Sequence, residues 1–179
     1  MKKVVIISSS LRSGSNSEIL AKEFEKGAQA AGHETEFISL KGKKIGYCIG
    51  CMTCQNTHKC IIKDDTVDIA EKIKNADVVC FATPVYYYGM SGQLKTLLDR
   101  CNPLYGTDYK FRDVYLITTA AEDESHTMDG TLKGIMGWIE CFEESHLEGI
   151  VYGYGIHEPN TAMRKHEIME KAYFSGKHS

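Results

Sequence analysis

No stretch of this chain stays apolar for the roughly 20 residues that a membrane-spanning helix requires, which argues against a membrane protein. The opening MKKVVIISSS has the basic start of a signal peptide, but its apolar run ends after four residues. It reads instead as a first strand, and the chain is expected to be cytoplasmic. Lys and Arg are nowhere clustered densely enough for nucleic-acid binding, and a formal charge of -3 points weakly the same way. That charge is also too mild for a strongly acidic electron shuttle. A P-loop lysine motif is missing, and so is G-x-G-x-x-G: Gly153 and Gly155 lack the third glycine and the following helix start. A simple ATPase and a Rossmann dehydrogenase are thereby disfavoured. Linkers, internal repeats and low-complexity segments are absent too.

What is present is the composition of a globular protein, with 42% hydrophobic and 25% charged residues in a chain of 179. That length buries a core without disulfide staples, so residues 1–179 read as one domain. Strand candidates fall at 3–8, where Val-Val-Ile-Ile is continuous, and at 34–39, 77–82, 113–118 and 149–154. Helical spacing marks 16–31 through Leu20, Phe24, Ala28 and Ala31, then a helix from near Thr66 that Asp64 and Asp65 would cap. Further helices are expected at 91–100, around Leu132 to Phe142, and at 162–174. Such alternation implies a doubly wound α/β fold: a five-stranded parallel sheet of flavodoxin-like order 2-1-3-4-5 with helices on both faces. The alternating Glu-Thr-Glu-Phe of the second strand suits an edge.

Ligands in such sheets sit outside the carboxyl ends of the strands, at the switch point beside strand 1. The loop there reads Ser8-Ser9-Ser10-Leu11-Arg12-Ser13-Gly14-Ser15-Asn16-Ser17. Small hydroxyl residues before a helix N-terminus, with an Arg beside them, suit a phosphate. The plain alternative is a polar loop whose Ser or Asn caps the helix. After strand 3 comes Thr83-Pro84-Val85-Tyr86-Tyr87-Tyr88-Gly89-Met90. Its three tyrosines could flank an aromatic ligand or simply pack locally. The weaker loop after strand 4 carries Thr118 and Thr119.

Ser9 to Ser17 is similar to the Gly-Ser-x-Arg-x-Gly-Ser-Asn-[Ser/Thr] loop of the NAD(P)H-dependent FMN reductase family. Thr83-Pro84-Val85-Tyr86 with Ser91-Gly92-Gln93-Leu94-Lys95 and Leu98-Asp99-Arg100 resembles that family's second signature. The resemblance runs from about Lys2 to Lys177. It implies an FMN phosphate on Ser10, Arg12, Ser15, Asn16 and Ser17, with the ring against Pro84, Val85, Tyr86, Tyr87, Tyr88, Gly89, Thr118 and Thr119. Departures from the pattern are Ser9, where Gly is usual and the turn would tighten, and Ala120-Ala121 in place of a Gly pair.

Seven cysteines is a high and odd count, and Cys48, Cys51, Cys54 and Cys60 crowd into thirteen residues. They lie in an insert of more than twenty residues, about 41–65, longer than an ordinary connection. The C-x-x-C-x-x-C-x5-C spacing can wrap a small polynuclear centre, whereas structural zinc favours two separated knuckles. Free thiols, a redox disulfide or another metal stay open. The insert also resembles the cysteine motif of the iron–sulfur flavoproteins, a branch of the same family, which implies these four as ligands of a [4Fe-4S] cluster. Cys80, Cys101 and Cys141 read as small core hydrophobes, Trp138 as packing and His58 as a solvated loop residue. The spacing of His126, His146, His157 and His166 suggests no metal site.

The expectation is an FMN-dependent oxidoreductase drawing electrons from NAD(P)H, as a transient co-substrate, or from a reduced carrier. The alternatives are a non-enzymatic electron carrier and a redox- or metal-sensing module. The resemblance also implies a homo-oligomer, a homodimer or homotetramer with flavin sites near its interfaces. Small molecules or proteins would donate and accept the electrons. No residue stands out as a catalytic acid.

Overall fold

The computed structural model describes Met1–Ser179. Its first strand, β1 (Lys3–Ser8), is followed by α1 (Asn16–Ala30) and β2 (Glu34–Ser39). The cysteine insert holds a one-turn helix, α2 (Thr53–Thr57), and leads into α3 (Asp65–Lys74). Then come β3 (Val78–Tyr86), β4 (Gly89–Met90), α4 (Gly92–Arg100), β5 (Asp113–Thr119), α5 (Asp129–Ile139), β6 (His146–Gly153) and α6 (His166–Lys177).

The parallel strands run in the order β2-β1-β3-β5-β6, while β4 pairs antiparallel with the end of β3 outside that path. This is the expected flavodoxin order, with the polar strand β2 at one edge. Alternation along the inner strands feeds two cores. Val5, Ile7, Val79, Phe81 and Leu116 face α3, α4 and α5, where they meet Ile69, Ile73, Leu94, Leu97 and Ile135. Val4, Ile6, Val78, Cys80 and Ile117 face the other way, onto Leu20, Phe24 and Ala28 of α1 and Ala172 of α6. Both faces of β1 and β3 are buried, which is why these strands read as unbroken apolar runs.

Helix boundaries follow local chemistry. Ser15 caps α1 by accepting from the Glu18 N–H, and Asp64 caps α3 by accepting from the Thr66 N–H at 3.0 Å. The last strand begins three residues earlier than Gly149, because it keeps its ladder with β5 from His146 on. The closing helix starts at His166 and not at Ala162, since 161–164 form a 3-10 turn whose backbone is tied to Asn16. Cys80 and Cys101 are buried as expected, but Cys141 is exposed, because it falls beyond the last turn of α5. Trp138 packs in an aromatic group with Phe81, Phe111 and Phe142. No helix is long and apolar enough to cross a membrane.

Candidate flavin cleft and cysteine pocket

The carboxyl ends of β1, β3 and β5 open onto a cleft of about 280 Å³ lined by Ser10, Arg12, Ser15, Asn16, Pro84, Val85, Tyr86, Thr119, Ala121, Ile156 and His157. At its base the first backbone bond of α1 runs from the Ile19 N–H to Ser15, and the Ser15 hydroxyl takes the Glu18 N–H. The N–H groups of Asn16 and Ser17 are left at the positive end of the helix, which suits an anion. Ser15 is therefore a cap and also part of the candidate phosphate cradle.

The side chain of Asn16 is committed elsewhere. Its amide donates to the carbonyls of Ile156 (3.3 Å) and Glu158 (2.9 Å) and accepts from the Ala162 N–H (3.0 Å). It straps the loop after β6 onto the phosphate loop, so toward an anion Asn16 offers its backbone. Arg12 is exposed and donates to the His157 carbonyl at 2.9 Å, leaving most of its guanidinium fork free. Ser9 is fully buried: its N–H and hydroxyl both donate to the Ala82 carbonyl, and the hydroxyl accepts from Ser91 at 2.8 Å. A serine thus fits here, bonded to β3 and to the start of α4.

The tyrosines do not sit in a loose loop. β3 runs on to Tyr86, which pairs with Gly89, so Tyr87 and Tyr88 form a two-residue hairpin turn. Both have left-handed backbones, with φ of 49° and 62°, where Asn-Gly would be the ordinary choice. Tyr86 lines the cleft. Tyr87 projects wholly into solvent. Tyr88 turns to the next loop, donating to the Glu122 carboxylate at 3.1 Å and stacking on His126; that carboxylate raises the phenol's pKa. Among the other expected residues, Gly89 and the side chains of Ser17 and Thr118 do not line the cleft, and Thr118 is buried with its hydroxyl unpartnered. Ala121, in the loop after the fourth parallel strand, does line it; the residues that spacing did not reveal are Ile156 and His157. Both arrive from the far end of the chain.

The second site is the insert. Cys48, Cys51, Cys54 and Cys60 line one small cavity together with Ile49, Gly50, Met52, Ile61, Ile62, Arg100 and Asn102. Left-handed residues at Gly50, Met52 and His58 fold the segment tightly, and all four cysteines are free thiols. The Thr53 backbone N–H and hydroxyl lower the pKa of Cys51 from the ordinary thiol value. Asn102 donates to the Cys54 sulfur at 3.0 Å. A trio of ligand atoms within 4.8 Å of one another occurs at Asp113, His146 and Glu148, not among the cysteines. Tetrahedral zinc, with Zn–S bonds of about 2.3 Å, would hold its sulfurs about 3.8 Å apart, and no three of these sulfurs lie mutually that close. Four soft thiols around one apolar cavity are a donor set that suits an iron–sulfur centre or another soft metal. At the Asp113 trio, the ammonium of Lys2 already pairs with Asp113 at 2.8 Å.

A larger groove of about 770 Å³ lies between α3 and the far side of the insert. Its rim mixes Lys63 and Lys74 with Asp68 and Glu71, whereas the cleft at the switch point lies where ligands of such sheets bind.

Sheet order and helix packing together define a flavodoxin-like α/β fold, with its cleft at the switch point. The model of the family NADPH-dependent FMN reductase matches residues 2–147, and the chain belongs to that family. It is 45% identical over 102 residues to an iron-sulfur flavoprotein of Methanocaldococcus jannaschii, covering 57% of this chain and 53% of that one. A second, from Archaeoglobus fulgidus, is 40% identical over 94 residues, or 52% of this chain and 48% of that protein. The chain thus spans about half the length of these relatives. Among solved structures, an NAD(P)H:quinone oxidoreductase from Methanothermobacter marburgensis superposes with a TM-score of 0.77 over 99% of this chain and 95% of that one. At 17% identity that likeness establishes the fold alone.

Proposed function

We propose that the chain is an FMN-dependent oxidoreductase that takes electrons from NAD(P)H or a reduced carrier and passes them to an acceptor. In this reading Cys48, Cys51, Cys54 and Cys60 hold a [4Fe-4S] cluster. The observation that carries it is the cleft in which a capped helix N-terminus, Arg12 and the Pro84-Val85-Tyr86 wall converge. FMN in that cleft would supply hydride acceptance and onward release of electrons.

The chain's own residues bind and orient. Arg12, the hydroxyls of Ser10 and Ser15, and the free N–H groups of Asn16 and Ser17 take the phosphate. Pro84, Val85, Tyr86, Thr119 and Ala121 line the cleft and would hold the flavin ring. Ile156 and His157 close the cleft from the loop after β6. Tyr88 braces the hairpin against Glu122 and His126, Gly89 pairs with Tyr86, and Thr118 lies buried beneath the cleft. Tyr87 is free to reach a second copy of the chain, in keeping with a homodimer or homotetramer whose interface covers the open side of the cleft. Free thiols suit a reducing compartment, the cytoplasm.

The test is made on protein purified without oxygen, by its visible spectrum and by flavin, iron and acid-labile sulfide per chain. NAD(P)H oxidation is then followed. One FMN with about four irons, the content of a cubane site, supports both halves of the proposal. FMN without iron leaves a flavin reductase with a thiol-rich insert. Neither cofactor, even after reconstitution, sinks the proposal.

A further inference from the structure

Arg100 ends α4 with its side chain only 1% exposed. A guanidinium carries five N–H donors in a rigid fork. Those on its two terminal nitrogens reach the Gly46 and Ile62 carbonyls and both Asp64 oxygens, at 2.7 to 3.0 Å. The remaining donor, Nε, is buried with no hydrogen-bond partner. Buried donors are rarely left this way. Arg100 and Cys60 line the same cavity. Two residues on, Asn102 opens the 3-10 turn Asn102–Leu104 and gives its amide N–H to the Cys54 sulfur at 3.0 Å. One short stretch at the end of a rigid helix thus brings an N–H donor to the Cys54 sulfur and an unpartnered buried donor to the cavity that Cys60 lines.

We propose that Asn102 and Arg100 set the reduction potential of the centre held by the cysteines, by donating N–H bonds to the sulfurs of Cys54 and Cys60. The inference rests on the cluster reading above. Hydrogen bonds to ligand sulfurs draw electron density from the centre and favour its electron-rich, reduced form. The charge of Arg100 is largely balanced by Asp64, so its effect at Cys60 is that of a directed donor. Both are positioning and tuning residues, neither being a ligand.

Asn102→Leu is the cleaner probe, since it removes a neutral donor at similar volume. Arg100→Lys keeps the charge for Asp64 but loses Nε. Protein isolated without oxygen is titrated potentiometrically, with the reduced centre followed by electron paramagnetic resonance and the flavin by its visible bands. The expected result is unchanged iron and sulfide per chain, a cluster potential moved negative in Asn102→Leu and further in the double variant, and an unmoved flavin potential. Intact iron with an unmoved cluster potential overturns this inference alone. Loss of iron from a folded Asn102→Leu also overturns it, by making Asn102 a residue that retains the centre. Wild-type protein without iron removes the cluster reading and this inference together. If Arg100→Lys does not fold, Asn102→Leu decides.

Discussion

Ser91 and Arg100 stand at opposite ends of α4 and hold one site each. The Ser91 hydroxyl donates to Ser9 in the phosphate loop at 2.8 Å, while Arg100 grips Asp64 of the cysteine insert at 2.8 and 3.0 Å. A helix of nine residues is about 13 Å long at the standard rise. One rigid element therefore fixes the spacing of the two sites.

Acid should loosen the insert first. Burial works against ionisation of Asp64, but the Arg100 guanidinium and the N–H groups of Gly46 and Thr66 outweigh it and hold the carboxyl well below the usual carboxylate range. A depressed carboxyl pKa contributes stability that is complete above the unfolded value of about 3.9 and is lost as pH falls toward the folded one. Thermal melts at decreasing pH should show this loss below about pH 4, and Asp64→Asn should flatten the slope. An unchanged slope would remove Asp64 as its source. Asp64→Ala strands a buried guanidinium and should cost about 3 kcal/mol at neutral pH.

The tyrosine turn costs stability, since Tyr87 and Tyr88 both have left-handed backbones. Replacing Tyr87-Tyr88 by Asn-Gly relieves two left-handed side-chain-bearing residues, at about 1–2 kcal/mol for each, and should raise the melting temperature. FMN retention should fall at the same time, because the wall beside Tyr86 loses its support. A variant that is more stable and keeps FMN fully would show that the tyrosines have no part in the site.

Arg12→Ala should leave folding untouched, since this exposed side chain bonds only the His157 carbonyl. FMN should bind about 10- to 100-fold more weakly, the equivalent of roughly 1.5–3 kcal/mol for a charged hydrogen bond. Fluorescence titration of the apoprotein with FMN and with riboflavin checks it. The loss should be confined to FMN, because riboflavin carries no phosphate.

Two glycine-to-alanine changes should move stability in opposite directions. A Cβ on Gly176 would overlap the Phe24 carbonyl where α6 crosses α1, so Gly176→Ala should cost at least about 1–3 kcal/mol. Gly137 lies in α5 with open space at its Cβ, so Gly137→Ala should gain up to about 1 kcal/mol. Chemical denaturation of both variants is the comparison.

Much of the fold was legible locally. Val4 to Ile7 and Val78 to Ala82 announce interior strands because both faces are buried, and the Glu-Thr-Glu-Phe of β2 announces an edge. Ser15 and Asp64 mark helix starts because capping depends on neighbours only two or three residues away. The hairpin at Tyr87 was not legible, since tyrosine gives no signal for a left-handed backbone; only the pairing of Tyr86 with Gly89 imposes it. The exposure of Cys141 was equally hidden, because an apolar helix face predicts burial only while the helix continues.

The phosphate loop and the cysteine spacing were written in consecutive residues, where local geometry is enough to group them. Sequence alone therefore determined the class of fold, the family resemblance and the two candidate sites. Tertiary structure decided which groups complete them: Ile156 and His157 in the cleft, the buttressing role of Asn16, and the placing of Arg100 and Asn102 beside the cysteines. These partners are brought in by strand order and helix packing across as many as 146 positions of chain, and no local pattern encodes contacts at such range.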